Sequence, residues 1–192
     1  MNFLAHFYLS DHDDELLAGN FIADSVKGNQ WKNYPQKIGE GILMHRAMDD
    51  FIDHHPVALR SKHRLRPRHG LYSGVLVDMI YDHLLAAGWE NHHPENLETF
   101  SQQVYLRLKN FEEYFPERSK RIIQVMSEHN WLLMYRDKNQ WKEILQSMSL
   151  RIGKKDLLSS AAIDLDEHHN DFEKEFEEFF EEAKKKFLPS YL

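Results

Sequence analysis

The chain has 192 residues, of which 42% are hydrophobic and 29% are charged, and its formal net charge is −7. Its length suits one domain with a substantial core, and its composition is ordinary for a soluble globular protein. Because the sequence contains no cysteine, disulfide bonds and thiolate metal sites are excluded. A transition metal would therefore be held by His, Asp and Glu, which favours Mn, Fe, Mg or a His-rich zinc site.

Helical periodicity recurs along the chain, whereas strand signals are almost absent. Capping acids at residues 11–14 and the breakers Pro35, Pro56 and Gly153 mark several helix boundaries. The predicted helices cover residues 2–9, about 14–27, 35–54, 74–89, 95–114, 117–134, 138–150 and 161–187. No internal repeat or second domain is evident, so we expect an all-α, single-domain helical bundle over residues 1–192.

Two apolar stretches lack the features of export or membrane segments. Residues 1–10 have neither a basic leader nor a longer apolar core, so they do not predict a signal peptide. Residues 74–89 are too few and too acidic to span a bilayer. We therefore expect a cytoplasmic protein that makes no membrane contact.

Charge is unevenly distributed along the chain. Residues 164–186 hold ten acids and four lysines, a balance of −6, which predicts a packed C-terminal helix with a solvated acidic face. Residues 60–69, the basic segment, hold five fixed positive charges and no acid. This segment is a candidate docking surface for an acidic partner or a phosphate, although an ordinary solvated helix and loop could have the same composition. Its charges are Arg60, Lys62, Arg64, Arg66 and Arg68.

Two carboxylates interrupt the apolar stretch of residues 74–89. Asp78 and Asp82 are spaced i, i+4, so they point in a similar direction from a helix that should be buried. An ionised carboxylate in such a place is costly unless a cation lies against it. His83 projects about 100° away from Asp82. The pair therefore predicts a metal ion or another bound cation.

Three further segments place polar side chains among apolar ones. These are His6 in the first helix, Asp24 one turn after Asn20, and the stripe His45, Asp49 and Asp53 at i, i+4, i+8. Taken singly, each could be a core hydrogen bond or a local salt bridge, for example to Arg46. Four helices that each carry oxygen or nitrogen ligands could converge on one metal in a bundle core. A buried polar network without metal is the alternative.

Catalytic motifs of other hydrolase classes are absent from the sequence. It contains no nucleophile elbow, glycine-rich phosphate loop or zinc-protease signature. Metal-activated water attacking a phosphorus or carbonyl centre is the chemistry that these residue types support best.

The same segments, in the same order, resemble those of the acyl carrier protein phosphodiesterases, also called acyl carrier protein hydrolyases. The resemblance rests on residues 1–10, 19–28, 45–49 running into 53–56, and 78–86 with Trp89. It implies a divergent branch of the helical His-Asp metal phosphohydrolases. The implied reaction is hydrolysis of the phosphodiester of holo-acyl carrier protein, which releases 4′-phosphopantetheine and the apo-protein. The implied cofactor is a divalent cation, with manganese expected.

The resemblance assigns roles to the candidate residues. We expect the metal ligands to include His6, Asp24, His45 and Asp78. We expect Asp49 and Asp82 to be additional ligands or to support them, His83 to transfer a proton to the leaving serine oxygen, and Lys27 and Arg46 to neutralise phosphate charge. The basic segment would attract the acidic carrier protein. Nucleic acid is not expected as a partner, because the rest of the chain is acidic.

Two other functions remain open on the sequence alone. One is a metal-dependent phosphohydrolase that acts on a nucleotide or another small phosphoester. The other is a non-catalytic helical module that binds an acidic protein and whose buried acids are merely salt-bridged. These alternatives differ from the main hypothesis in their sensitivity to chelators and in their dependence on the basic segment.

Overall fold

The computed structural model describes residues 2–189, and this part of the chain contains helices but no strands. The all-α prediction is confirmed. Five short 3₁₀-helices occur in the same region, at Ala23–Ser25, Gly28–Asn33, Gly70–Tyr72, Trp89–Asn91 and Glu112–Tyr114. The α-helices are α1 (Phe3–Ser10), α2 (Asp14–Ile22), α3 (Gln36–His54), α4 (Pro56–His69), α5 (Ser73–Ala87), α6 (Leu97–Lys109), α7 (Glu117–His129), α8 (Trp131–Met134), α9 (Lys138–Arg151), α10 (Ala161–Glu167) and α11 (His169–Phe187).

Four predicted helices are clearly shorter or divided in the structure. The second ends at Ile22, five residues before the predicted end at about 27, and continues as a 3₁₀-helix. The helix predicted over 95–114 covers only Leu97–Lys109. The helix predicted over 117–134 breaks at Asn130, whose φ of 47° and ψ of 56° are left-handed. The last one breaks at His168 into α10 and α11. These breaks involve backbone conformations that an apolar pattern does not reveal.

The basic segment lies within a regular helix. Pro56 occupies the first turn of α4, where a missing N–H breaks no helical hydrogen bond. The His55 side chain accepts a hydrogen bond from the N–H of Val57 at 3.3 Å and so caps this end. Pro67 is accommodated near the other end. As a consequence, charges spaced by four residues share one face of α4.

Helices α1 and α5 form the centre of the protein. Every residue of α1 from Leu4 to Ser10 is buried, and α5 buries Leu76, Ile80 and Leu85 completely. Helix α11 covers this centre with a stripe of buried aromatic side chains. The stripe consists of Phe172, Phe176, Phe179 and Phe180. Within residues 2–189, no helix is long and apolar enough to cross a membrane.

Helices α2 and α3 approach each other with almost nothing between their backbones. A Cβ atom built on Gly19 would collide with the carbonyl oxygen of Ile38, and one built on Gly41 would collide with the carbonyl oxygen of Leu16. Only glycine allows this contact. The close approach brings the polar residues of α2 within reach of those of α3.

Candidate metal centre

Two histidines and one aspartate converge where α1 crosses α3. Nε2 of His6 lies 3.2 Å from Oδ1 of Asp49, and Nε2 of His45 lies 3.1 Å from Oδ2 of the same carboxylate. The two imidazole rings stack with their centroids 4.0 Å apart. One ligand atom from each of the three residues falls within 4.8 Å of the others. We call these three residues the His-Asp cluster.

An asparagine on α2 fixes the orientation of the cluster. Oδ1 of Asn20 lies 2.9 Å from Nδ1 of His45, and Nδ2 of Asn20 donates to the carbonyl oxygen of His6 at 3.2 Å. Because the amide nitrogen is the donor to His6, the amide oxygen must accept from Nδ1 of His45. Nε2 of His45 is thereby directed at Asp49. Such a partner on the far ring nitrogen is typical of metal-binding histidines.

The protonation states of the cluster are unequal. Burial and the neighbouring His45 lower the pKa of His6 to about 3. Burial also opposes the charged form of His45, but hydrogen bonds to Asp24 and Asp49 outweigh it and raise the pKa of His45 to about 9. Burial likewise opposes ionisation of Asp49, yet hydrogen bonds from both histidines hold the pKa of Asp49 well below its usual range. A cation entering the site would therefore replace the proton on His45.

The cluster opens into a cavity of about 310 Å³. We call it the cluster cavity. Two further acids that the sequence singled out, Asp24 and Asp78, line it. Oδ1 of Asp24 lies 3.5 Å from Nε2 of His45, and the hydrogen bond with His45 lowers the pKa of Asp24. Burial raises the pKa of Asp78. Asp53 also lines the cavity.

The donor set suits a divalent metal ion with open coordination positions. Two imidazole nitrogens and one carboxylate are a common three-ligand set in catalytic metal sites, which leave other positions to water or substrate. Asp24 and Asp78 are close enough to the cluster to line the same cavity and add carboxylate oxygens. Hard oxygen donors of this kind favour ions such as Mn²⁺ and Mg²⁺.

Comparisons with known proteins identify the family of this chain. A family model described as "Acyl carrier protein phosphodiesterase" matches residues 1–183. The chain belongs to this family. No solved structure matches it.

Relatives that carry the family name align with nearly the whole chain. Proteins named acyl carrier protein phosphodiesterase from Photorhabdus laumondii and Salmonella paratyphi A are 30% and 32% identical to it over 181 residues. These alignments cover 94% of this chain, and 91% and 94% of the two relatives respectively. A third relative of the same name, from Enterobacter sp. (strain 638), is 31% identical over 181 residues and is covered to 94%.

In this member of the acyl carrier protein phosphodiesterase family, Asp82 lies apart from the cluster. Its side chain is completely buried and accepts hydrogen bonds from the N–H groups of Leu4 at 2.8 Å and Ala5 at 3.2 Å. These groups belong to the first turn of α1, where the helix dipole favours a negative charge. Burial nevertheless raises the pKa of Asp82 to about 7. Asp82 therefore anchors the helix that carries His6.

His83 also points away from the cluster cavity. Its Nδ1 lies 2.7 Å from the carbonyl oxygen of Tyr135, and its ring stacks on Trp141 with centroids 5.1 Å apart. Burial lowers the pKa of His83. It does not line the cluster cavity, so the structure does not bring it near the cluster.

The two cations expected to neutralise phosphate occupy different surroundings. Arg46 donates to the carbonyl oxygens of Gly28 and Val26, both at 2.7 Å, and so holds the turn after Asp24 in place. Lys27 is exposed in that turn. Neither side chain lines the cluster cavity.

Three of the five cations of the basic segment face the acidic C-terminal helices. Arg64 pairs with Glu175 at 2.6 Å and Arg60 pairs with Glu178 at 2.7 Å. Arg68 pairs with Asp164 on α10 at 2.9 Å. These residues are spaced by four along α4 and thus share one face. The C-terminal acids are therefore not simply solvated, as the sequence predicted, but partly neutralise the basic segment.

The remaining two cations, Lys62 and Arg66, are also spaced by four and share the opposite face of α4. Nζ of Lys62 lies 2.7 Å from Oδ1 of Asp53, which lines the cluster cavity. Arg66 is exposed. Within residues 2–189, Lys62 is thus the only cation of the basic segment that forms an ion pair with a residue lining the cavity. Because α4 continues through Pro67, helical periodicity separates Lys62 and Arg66 from the face of the other three cations.

The sequence assigns no role to Asn20 and no chemistry to the region after residue 90. The sequence nevertheless indicates that Asn20 matters, because this amide lies one turn before Asp24 among apolar residues. The contribution of Met148, on α9, to the cavity lining had no comparable signal. A methionine in a helix is usually a core residue.

Proposed function

We propose that the protein hydrolyses the phosphodiester bond of holo-acyl carrier protein and releases 4′-phosphopantetheine and apo-acyl carrier protein. The observation that carries the proposal is the His-Asp cluster at the wall of an open cavity. The family and the names of the relatives support the choice of substrate. A cluster of this composition suits metal-assisted hydrolysis of a phosphoester.

The proposal assigns His6, His45 and Asp49 as metal ligands, with Asp24 and Asp78 as further ligands or as bases for bound water. Mn²⁺ is the proposed ion. When bound, a divalent ion supplies a Lewis acid for the phosphoryl oxygens and lowers the pKa of water. Asn20 holds the ring of His45, and Asp82 holds α1, so both act by positioning ligands.

Lys62 supplies the positive charge of the proposed site. Its ammonium group is held beside the cavity by Asp53, and its side chain is only 16% exposed. A lysine in this position can offset charge on a phosphodiester without competing for the metal. Arg46 is not oriented to offset this charge, because it donates to backbone carbonyl oxygens. The same holds for Arg60, Arg64 and Arg68, which face the acids of α10 and α11.

Three broader assignments complete the proposal. An all-α fold with a cluster of two histidines and one aspartate supports a divergent branch of the His-Asp metal phosphohydrolases. We treat residues 1–192 as one phosphodiesterase domain. We place the reaction in the cytoplasm, with carrier protein as the partner and no role for nucleic acid.

A chelation experiment tests the proposal. Purified holo-acyl carrier protein is incubated with the enzyme and Mn²⁺, with and without EDTA, and intact mass is followed. We expect loss of the 4′-phosphopantetheine mass only without EDTA. Asp49→Asn should abolish the loss, whereas Asp50→Asn, the exposed neighbour whose partner is His54, should retain it. An unchanged carrier mass with every metal in a series of Mn²⁺, Mg²⁺, Fe²⁺ and Zn²⁺ would refute the proposal.

A small phosphoester is the alternative substrate. One observation favours it, because the acidic α10 and α11 occupy most of the surface that the sequence offered to an acidic protein. Turnover of nucleotides or simple phosphodiesters, together with an unchanged carrier mass, would support this alternative. A non-catalytic binding module would turn over neither.

A further inference from the structure

A second cavity continues from the cluster cavity toward the C-terminal half of the chain. It has a volume of about 400 Å³, within the range typical of small-molecule sites. We call it the α9 groove, because α9 supplies one of its walls. Five residues line both cavities, so the two are continuous. The shared residues are Asn2, Phe3, Asp24, Met79 and Met148.

The α9 groove has both apolar and polar side chains in its lining. Trp131, Met134 and Ile144 extend the surface begun by Met79 and Met148. Methionine side chains adapt to flexible, unbranched ligands. Hydrogen-bonding groups are present as well, in the side chains of Asn2, Tyr135 and Ser147. Such a lining suits a ligand that alternates methyl or methylene groups with amides.

Two arginines also line the groove. Arg118 on α7 and Arg151 at the end of α9 are both exposed. Within residues 2–189, neither forms an ion pair, in contrast to Arg60, Arg64 and Arg68 on α4. Glu143 is an acid in the same lining. The lining therefore holds two exposed arginines beside two acids, Asp24 and Glu143, and the arginines, without ion pairs in the described part of the chain, are available to an acidic protein substrate that approaches the cluster cavity.

We propose that the α9 groove binds the pantetheine arm of the substrate. This inference rests on the proposed function, since it places the scissile phosphodiester at the His-Asp cluster. The geminal methyl groups and methylenes of the arm would contact Trp131, Met134 and Met148, and its two amides would meet the hydrogen-bonding side chains of the lining. The carrier protein would dock on the side of Arg118 and Arg151 rather than on α4.

A bulky substitution in the groove tests this placement. Ser147 is exposed and lines the groove, whereas Leu150 is 62% exposed on the same helix and does not. Ser147→Trp should fill the groove, and Leu150→Trp is the matched control. With Mn²⁺ present, calorimetry measures binding of 4′-phosphopantetheine and of inorganic phosphate to each protein. We expect wild type and Leu150→Trp to bind 4′-phosphopantetheine at least about tenfold more tightly than phosphate, and Ser147→Trp to lose that preference.

The outcomes separate the groove from the reaction. If wild type binds 4′-phosphopantetheine no better than phosphate, or if Ser147→Trp keeps the preference, the groove does not hold the arm. Parallel assays of holo-carrier protein report on the proposed function independently. A protein that shows the preference but leaves the carrier intact would retain the groove inference and lose the proposed reaction. Arg118→Glu should lower kcat/KM for the carrier, whereas Arg121→Glu on the same helix should not.

Discussion

Nδ1 of His45 lies 2.9 Å from the side-chain oxygen of Asn20, and this contact sets the ring of His45 within the cluster. The neutral ring then has its lone pair on Nε2, the atom that lies 3.1 Å from Asp49. The hydrogen bond at Nδ1 thus leaves the lone pair of Nε2 available to a metal ion.

Asn20→Ala should weaken Mn²⁺ binding by about 10–100-fold, the usual effect of losing a partner behind a metal-bound histidine. Asn20→Asp keeps an acceptor for Nδ1 but loses the donor to the carbonyl oxygen of His6, so its affinity should lie between those of wild type and Asn20→Ala. Electron paramagnetic resonance of free Mn²⁺ measures both. His6→Ala, which removes a direct ligand, should exceed the effect of Asn20→Ala. Equal affinity in wild type and His6→Ala would show that His6 is not a ligand.

Gly41→Ala should damage the site from a distance. The new methyl group would collide with the backbone of α2 near Leu16, and overpacking of this kind costs about 1–3 kcal/mol. We expect lower unfolding free energy in urea and weaker Mn²⁺ binding, because α2 and α3 must separate. Gly74→Ala is the control, since its Cβ would find only Lys62 Cε at 3.9 Å. That variant should be as stable as wild type or more so.

Asp82→Asn should change how stability depends on pH. The pKa of Asp82 is raised to about 7 in the folded protein, whereas that of an exposed aspartate is about 3.9. Between these values the folded protein holds a proton that the unfolded chain has released, so ionisation of Asp82 lowers stability as pH rises.

The variant has no such titration. In metal-free protein, the stability of wild type relative to Asp82→Asn should fall from pH 4 to pH 7, by at most about 1.4 kcal/mol per pH unit. Urea unfolding at several pH values measures the difference. Asp50→Asn, at an exposed position, provides the comparison. A constant difference across this range would contradict the raised pKa.

Lys62→Met should reduce kcat/KM for the phosphodiester by about tenfold or more while it leaves Mn²⁺ affinity nearly unchanged. The reason is that the ion pair with Asp53 holds Lys62 beside the cavity, where it contributes positive charge but does not bind the metal. Arg66→Met removes a charge from an exposed position of the same helix. Equal losses in the two variants would indicate a general charge effect rather than a local one.

Arg64→Ala should act on stability. The carboxylate of Glu175 is only 8% exposed and pairs with Arg64, which is 19% exposed. The loss of unfolding free energy should stay below about 3–5 kcal/mol, the cost of a buried charge left without any partner, because Arg60 at 3.6 Å and the hydroxyl of Ser61 still contact Glu175. Arg66→Ala should change the unfolding free energy by less than about 0.5 kcal/mol. The kcat/KM of folded Arg64→Ala for the carrier should stay near that of wild type, contrary to a docking role for Arg64.

The parts of the fold that follow from local pattern were predictable from the sequence. The all-α class, the span of α3 and the family motifs all depend on residues near one another in the chain. His6, Asp24, His45 and Asp78 stand out in the sequence as polar residues among apolar ones, and all four line the cluster cavity.

Other features depend on partners far away in the sequence. Asp82 has the same pattern as Asp78, but its counterpart is a pair of backbone N–H groups in α1, which no side-chain pattern reveals. The pairing of α4 with α11 joins positions such as Arg64 and Glu175 that are 111 residues apart. The sequence shows that Arg64 and Glu175 are charged, but not that they contact each other.

The pairing of α4 with α11 also affects how the surface meets other molecules. An acidic helix tethered by its own chain is present at an effective concentration of about millimolar or higher, well above that of most dissolved partners. An external polyanion would have to compete with α11 for Arg60 and Arg64, and with α10 for Arg68. The acids of α10 and α11 thus reduce the binding of other acidic molecules to these arginines.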